Sequence, residues 1–438
     1  MSDPLRDDGA VPRDLTPPTK SSAATARDCL LRIGAALLAG SAPVPDVEAQ
    51  LARIGRRLGV PRLTAAATPT GVFVGTTQDR TVGFAPVGAM LRFEQMTRLQ
   101  DVVEGLLARN LSASAAIEEL DQIEAMPRSR PAWVCDLAIV PIAVGICTIM
   151  QPTRMDLATA AIGALFVVGL VVLSRRSALV RTLLPLLAAF GVAVIVLTCG
   201  QWWDLQGTLR TMVATFAVLL PGSLIVTGMS EIAAGAAVAG TARLATGTVQ
   251  LVLFSVGLFA AVAVRGDSLS ALTNVRADEL GPLAPYLGIV LVGAGIVVNV
   301  AASRPAIPWI FVVLLLTFAV QSTVQAATGV ALGALAGAIV AGLSSSVVRR
   351  LSGQPLSLVV FLPAFWLLVP GSLGLLSTTQ LAAGHAGLNA VTTSVAAIVS
   401  VVVGTLVGGA AGRALDRLLD PYEPPAPEPA EDHDVDRQ

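Results

Sequence analysis

Residues 218–226 read VLLPGSLIV and place a proline and a glycine in the middle of a long apolar stretch. The same four residues, PGSL, recur at 370–373 inside a second apolar stretch, and both copies are followed at the same distance by the sequence AAG. With the offset of 149 between the copies, the flanking apolar segments also correspond. Helix-breaking residues at matching places in two halves of a membrane chain indicate a transporter's substrate site.

The composition places the chain among integral membrane proteins. Hydrophobic residues make up 54% of the 438 residues, charged residues only 13%, and the mean hydropathy is +0.73. The apolar residues are concentrated in runs that are near the length of a bilayer crossing. The net charge is −1 and the Arg residues form no cluster, which argues against a nucleic-acid partner because phosphate binding needs a basic face.

The cysteines predict neither a metal centre nor a bound cofactor. They are scattered along the chain without the close spacing that a disulfide framework or a metal site requires. The four are Cys29, Cys135, Cys147 and Cys199.

Changes in composition divide the chain into five segments. Residues 1–26 show little periodicity and are predicted to be a disordered lead without a signal segment, so the region after it is expected to stay in the cytoplasm. Residues 27–130 predict a small cytoplasmic α+β domain, and residues 131–266 and 267–413 predict two membrane repeats. Residues 414–438 are rich in Pro and acids and predict a disordered cytoplasmic tail.

Apolar spacing predicts the elements of the α+β domain. We expect helices with a break at Pro43 and Pro45, a hairpin of two β-branched runs, and two further helices, the last with Ser112 or Ser114 as its N-cap. The predicted ranges are 27–60, 70–76 with 81–87, 96–109 and 112–125.

Ten membrane spans are predicted from Trp133 onward, at 133–150, 155–173, 179–199, 208–228, 240–264, 285–303, 308–324, 325–343, 356–377 and 387–411. Arg is retained in cytoplasmic loops, so nine Arg residues on one side against four on the other place both termini in the cytoplasm. Five spans per half make the second half enter the membrane from the opposite side. The predicted fold is therefore a polytopic α-helical membrane protein with ten transmembrane helices, arranged as two inverted five-helix repeats.

The two PGSL copies supply the predicted substrate-binding residues. Pro lacks an N–H group and Gly lets the helix unwind, and the backbone groups that this frees must line protein or a wet cavity. Half-helix N-termini suit a substrate carboxylate, carbonyl ends suit an ammonium group or a cation, and the serines add hydroxyls. A proline kink used only for packing is the alternative, and two symmetric copies count against it. The residues are Pro221, Gly222, Ser223, Pro370, Gly371 and Ser372.

Several motifs, in their order along the chain, resemble the threonine/serine exporter family. They are Leu31-Arg32-Ile33-Gly34, Pro45-Asp46-Val47-Glu48, residues 53–60 (RIGRRLGV), Thr68-Pro69-Thr70, Pro221-Gly222 with Glu231 and Arg243, and residues 361–363 leading to 368–372. The resemblance covers residues 27 to 412 and implies a carrier in the bacterial cytoplasmic membrane. Such a carrier expels L-threonine and L-serine with the proton motive force. At Glu231 the family more often has an Asp.

Asp136, Asp156 and Glu231 are the predicted proton-coupling residues, because ionisable groups inside a bilayer are costly and usually functional. The alternatives are solvation near helix ends for the two aspartates, and an ion pair with Arg243 for Glu231. Coupling to Na⁺ instead of H⁺ also stays open. Of the other polar residues, His385 is expected to be solvated. Asn299, Gln321 and Gln325 are expected to form hydrogen bonds between helices.

Together these patterns predict a secondary active exporter of small hydroxy amino acids that is not an enzyme. The soluble domain contains no His to activate Cys29, and a solvated helix face explains Asp46 and Glu48. The alternative is a membrane receptor or scaffold that moves nothing and binds a partner through its cytoplasmic domain. The expected partners are the amino acid, protons or Na⁺, and the lipid bilayer, and assembly into a homo-oligomer stays open.

Overall fold

A computed structural model describes residues 20–60, 63–76, 82–150, 153–273, 275–277, 279–352, 363–364, 368 and 388–419. The chain is mostly helical. It divides into two compact units, the first formed by Met1–Leu91 and Arg98–Met126 and the second by Arg92–Thr97 and Pro127–Gln438.

The first unit combines helices with a small sheet. Its elements are α1 (Lys20–Ala39), α2 (Val44–Arg57), β1 (Leu63–Thr68), β2 (Gly71–Thr76), β3 (Val82–Pro86), most of α3 (Phe93–Leu107) and α4 (Ala113–Ala125). The three strands pair antiparallel in the order β1-β2-β3. Leu51 and Ile54 of α2 are fully buried, as the apolar spacing predicts.

Local signals explain several element ends in this unit. Pro43 is the N-cap residue of α2, with Pro45 in the first turn, where the missing N–H costs nothing. Ser112 is the N-cap of α4 and accepts a hydrogen bond from the N–H of Ala115 at 3.2 Å, which confirms one of the two predicted caps. Helix α1 begins at Lys20, inside the predicted lead, and strand β1 was not predicted.

The second unit contains the apolar helices. They are α5 (Ala132–Leu137), α6 (Ile139–Ile149), α7 (Arg154–Ser174), α8 (Ala178–Cys199), α9 (Thr208–Phe216), α10 (Gly222–Ala233), α11 (Ala237–Arg265), α12 (Ala284–Asn299), α13 (Ala306–Thr328), α14 (Val330–Ser352) and α15 (Leu388–Leu419). By length and composition, seven of the described spans can cross a membrane, counting α5 with α6 as one, and eight if the bent α9–α10 pair is one span. This helical content is that of a polytopic α-helical membrane protein.

Helices lie at nine of the ten predicted span positions, and the predicted span 356–377 falls largely outside the described residues. The boundary between the seventh and eighth predicted spans lies at Gly329, whose φ of 101° suits only glycine. Helix α12 has 16 residues and is shorter than predicted, and α15 continues to Leu419, into the predicted tail. Ten spans and an inverted repeat therefore stay predictions.

Glycines allow the helices of this unit to pack closely. A Cβ atom built on Gly145 of α6 would lie 2.7 Å from the carbonyl oxygen of Gly288 of α12, and one built on Gly288 would lie 2.6 Å from that of Gly145. Gly295, near the end of α12, meets Ala138, just before α6 begins. Helices α6 and α12 therefore run antiparallel with their backbones in contact.

Candidate transport site

The first PGSL copy separates two apolar helices that meet at a sharp bend. Helix α9 and the following 3-10 turn (Ala217–Leu219) form one arm, α10 forms the other, and the two arms are bent by 65°. Leu220 between them is extended, with φ −68° and ψ 137°, and Pro221 is the N-cap residue of α10. The predicted helix break is confirmed at this copy.

The break lies between two arms of equal length. The first arm consists of nine α-helical residues and three in the 3-10 turn, and the second arm has 12 residues. Pro221 and Gly222 are buried and Ser223 is half-buried. The first N–H groups of α10 have no acceptor within the helix and carry its partial positive charge, so they are suited to bind an anionic group.

Apolar contacts hold the first arm and the residue that links it to the second. Val218 packs against a small cluster of buried residues from α6 and α12, namely Ile142, Val292 and Ile296. Leu219 and Leu220 pack against the large core formed mainly by α7, α8, α9 and α11. In that core Phe216 stacks on Phe254 with 5.1 Å between the ring centroids. The broken backbone is therefore surrounded by protein, as a membrane environment requires.

The second PGSL copy, with Pro370, Gly371 and Ser372, lies outside the described residues. The nearest described residue is Leu368, which is helical and buried. Its Cδ2 atom lies 2.9 Å from the position of a Cβ atom built on Gly337 of α14. Leu368 therefore contacts α14.

Glu231 lies in the last turn of α10 and is fully buried. Its Oε2 atom is 3.1 Å from Nε of Arg243 on α11, and the Arg243 side chain is only 12% exposed. The pairing that the sequence left open as an alternative is therefore present. Close by, the backbones of Gly228 and Gly240 touch, so the ion pair and the glycine contact together join α10 to α11.

Asp136 near the start of the first span is buried and paired. Its two carboxylate oxygens accept hydrogen bonds from both terminal nitrogens of Arg175, at 2.8 and 2.5 Å. Arg175 is 46% exposed and directly follows α7. The carboxylate is therefore shielded from solvent, and its bidentate pair with Arg175 fixes the end of α7 to α5.

Asp156 in the first turn of α7 is fully buried and also hydrogen-bonded. Its Oδ2 atom accepts from the backbone N–H and the hydroxyl of Thr153 at 3.0 and 2.8 Å, while the Thr153 hydroxyl accepts from the Asp156 N–H at 3.1 Å, which completes a capping box. Its Oδ1 atom accepts from the hydroxyl of Thr211 at 2.8 Å, so this carboxylate joins α7 to α9.

The three candidate proton-coupling acids are not brought together. Asp156 is at the beginning of α7 and Arg175, the partner of Asp136, follows its end. At 1.5 Å per residue, Asp156 and Arg175 are roughly 29 Å apart. Glu231 lies on a third helix, in the arm that follows the break.

Sequence reasoning missed the partners Arg175 and Thr211. Both contacts join residues far apart along the chain, so nothing in the local sequence indicates them. The capping box was readable, because Thr153 and Asp156 have the spacing of a polar N-cap followed three residues later by an acid. Among the other predicted polar contacts, Asn299 donates to the carbonyl oxygen of Cys135 at 2.8 Å, whereas His385 lies outside the described residues.

Residues 28–265 match a family model described as "Putative threonine/serine exporter". This segment is more than half of the chain and ends with α11. The chain belongs to the threonine/serine exporter family. Searches of curated proteins and of solved structures find no match. Family membership and the many apolar helices make this exporter-family chain a multi-pass membrane protein, and they favour transport over catalysis.

In the exporter's first unit, Cys29, Glu48 and Asp46 are the groups considered for catalysis, and the structure gives each of them a role in folding. Burial raises the pKa of the Cys29 thiol to about 12, so it stays protonated at neutral pH and is a poor nucleophile. The Oε1 atom of Glu48 accepts a hydrogen bond from the N–H of Ala67 at 2.8 Å and so ties α2 to β1. Asp46 lies in the first turn of α2, where an acid stabilises the helix.

Proposed function

We propose that this protein is a secondary active exporter of L-threonine and L-serine, driven by the proton motive force through alternating access. The observation that carries the proposal is the break at Pro221, midway along a buried, bent span of an exporter-family chain. A scaffold needs no unwound backbone at that depth, whereas transporters place substrate sites there. We further propose that it resides in the bacterial cytoplasmic membrane with both termini in the cytoplasm.

Substrate recognition follows from the chemistry of the break. The amino-acid carboxylate binds the N–H groups of the first turn of α10, and Ser223 adds a hydroxyl next to it. Pro370, Gly371 and Ser372 of the second copy complete the site from the other repeat. The antiparallel contact of α6 with α12 supports this arrangement, because corresponding first spans of two inverted repeats must run in opposite directions.

Of the three acids, Glu231 fits proton coupling best. It lies on the arm that begins at the break, and its partner Arg243 lies on the neighbouring helix. A proton on Glu231 removes the charge that balances Arg243, which weakens the joint between α10 and α11 and couples proton binding to movement of that arm. Asp136 and Asp156 each hold the end of a span, and we assign them a secondary role.

Counterflow in proteoliposomes tests the proposal. Vesicles loaded with unlabelled threonine or serine should accumulate the labelled amino acid, and an imposed pH gradient should drive net flux where a Na⁺ gradient does not. The variant Pro221→Ala/Gly222→Ala, which favours a continuous helix, should fold and lose flux. Folded wild-type protein that moves no amino acid would establish the scaffold alternative, and flux driven only by Na⁺ would replace the proton as coupling ion.

A further inference from the structure

Residues 271–273 form a short strap across the start of α9. The N–H group of Thr273 donates to the hydroxyl of Thr208 at 2.9 Å, and the Thr273 carbonyl oxygen accepts from the N–H group of Leu209 at 3.0 Å. The hydroxyl of Thr208 in turn donates to the carbonyl oxygen of Ala271 at 2.7 Å. Backbone and side-chain groups of both segments therefore take part in the contact.

The strap supplies the cap that α9 lacks in its own sequence. Gly207, the N-cap residue, has no side chain that could accept from the first N–H groups of the helix, and these have no acceptor within it. The carbonyl oxygen of Thr273 accepts from Leu209, and its hydroxyl accepts from the N–H group of Thr208 at 3.3 Å. Thr208 is only 6% exposed, so these hydrogen bonds are shielded from solvent and breaking them is costly.

The other end of the first arm contacts the same part of the chain. Val218, three residues before Pro221, packs against a cluster that includes Val292 and Ile296 of α12. The strap precedes α12 along the chain, and both belong to residues 267–413, the predicted second repeat. The first arm is therefore held to this repeat by hydrogen bonds at its start and by apolar contacts at its end.

We propose that Thr208 and Thr273 are positioning residues that keep the first arm attached to the second repeat throughout the transport cycle. This inference rests on the proposed export function and assigns a fixed part of the transporter. The arm after the break has different contacts, because its ion pair and its glycine contact both lie on α11. A fixed first arm gives α10 a stationary partner against which it can change its angle.

Hydroxyl variants in the counterflow assay test the role of the strap. Thr273→Val removes the bond from the N–H group of Thr208 and the bond that the Thr273 hydroxyl donates to the carbonyl oxygen of Gln206 at 2.7 Å. Threonine counterflow should fall about tenfold, the effect expected from the loss of one or two ordinary hydrogen bonds. Thr273→Ser keeps the hydroxyl and should retain the flux. The control Thr323→Val removes a hydroxyl that bonds within α13 and should change nothing.

A reversible cross-link distinguishes a strap that stays closed from one that has to open. The hydroxyl oxygens of Thr208 and Thr273 are 3.2 Å apart, so cysteines in their place can form a disulfide after a small shift. Flux through Thr208→Cys/Thr273→Cys should be low in the reduced protein, which lacks both hydroxyls, and should recover on oxidation. Single-cysteine variants treated with the same oxidant control for the native thiols.

A second cross-link joins the parts that are expected to move. A Cβ atom built on Gly247 of α11 lies 3.4 Å from the Cβ atom of Leu224 on α10, which is close to the separation in a disulfide. Oxidised Leu224→Cys/Gly247→Cys should therefore lose flux, and a reductant should restore it.

The proposal has outcomes that would overturn it without affecting the proposed function. Oxidation that fails to raise the flux of Thr208→Cys/Thr273→Cys, or full flux in Thr273→Val, would show that the closed strap does not position the first arm for transport. Wild-type protein without threonine flux would instead remove the proposed function, and this inference with it.

Discussion

The ion pair between Glu231 and Arg243 gives the sharpest prediction. The charged atoms are 3.1 Å apart, Glu231 is fully buried and Arg243 is nearly so. Two unit charges at this distance attract by about 5 kcal/mol at an effective dielectric constant of about 20. Desolvation offsets part of this attraction, but removing one partner leaves the other charge buried and costs about 3–5 kcal/mol. We therefore expect Glu231→Gln to be strongly destabilising.

Either single variant leaves one charge buried without its partner, so both should be strongly destabilised. In Glu231→Gln the guanidinium stays charged at every accessible pH, so the loss of stability should not vary with pH.

Thermal unfolding of the purified protein in detergent, measured from pH 5 to pH 8, tests both points. The double variant Glu231→Gln/Arg243→Gln leaves no uncompensated charge and should be more stable than Glu231→Gln alone. Asp204→Asn, which removes an exposed acid in the loop before α9, is the control and should stay within about 0.5 kcal/mol of the wild type. A stabilising ion pair is excluded if Glu231→Gln melts like Asp204→Asn, or if the two single losses simply add in the double variant.

Three further predictions concern other parts of the chain. In the flux assay, Gly240→Val should abolish transport, because its Cβ would overlap the carbonyl oxygen of Gly228 and separate α10 from α11. The control Gly169→Val, whose Cβ meets no other residue, should remain active. Asp156→Asn should lower the free energy of unfolding by about 1–2 kcal/mol, because it weakens the capping box. Unlike Glu231→Gln, it should leave the pH dependence of flux unchanged, and an altered pH profile would contradict a purely structural role. Burial raises the pKa of Cys29 to about 12, so maleimide should label it only on unfolding. Because an exposed thiol ionises at about 9, stability of the first unit should fall as the pH rises from 9 towards 12, and a flat profile there would count against burial.

Much of the fold was readable because the sequence carries strong periodic signals. Apolar runs indicated most spans to within a few residues, and Pro221 with Gly222 marked the break in the fourth. Strand β1 was missed because Leu63–Thr68 reads LTAAAT, and alanine favours helix over strand. Its pairing with β2 is a tertiary effect that overrides this preference.

The candidate site was less predictable, because its contacts join distant parts of the chain. The sequence identified Asp136, Asp156 and Glu231 as acids that are costly to place in a bilayer. Only Arg243 could be named in advance as a partner, because it follows Glu231 closely along the chain, on the next helix.

The two arms of the broken span are held by different chemistry, which has a consequence for movement. The first arm is fixed through Thr211, whose hydroxyl donates to a carboxylate that also caps α7. The second arm is fixed by the Glu231–Arg243 ion pair. Under the coupling proposed above, a proton on Glu231 removes this ion pair, and we expect α10 to be released while α9 stays attached to the core. We expect the hinge to be the extended residue Leu220, whose ψ of 137° lies outside the helical region and whose N–H closes the 3-10 turn on Ala217 at 3.1 Å.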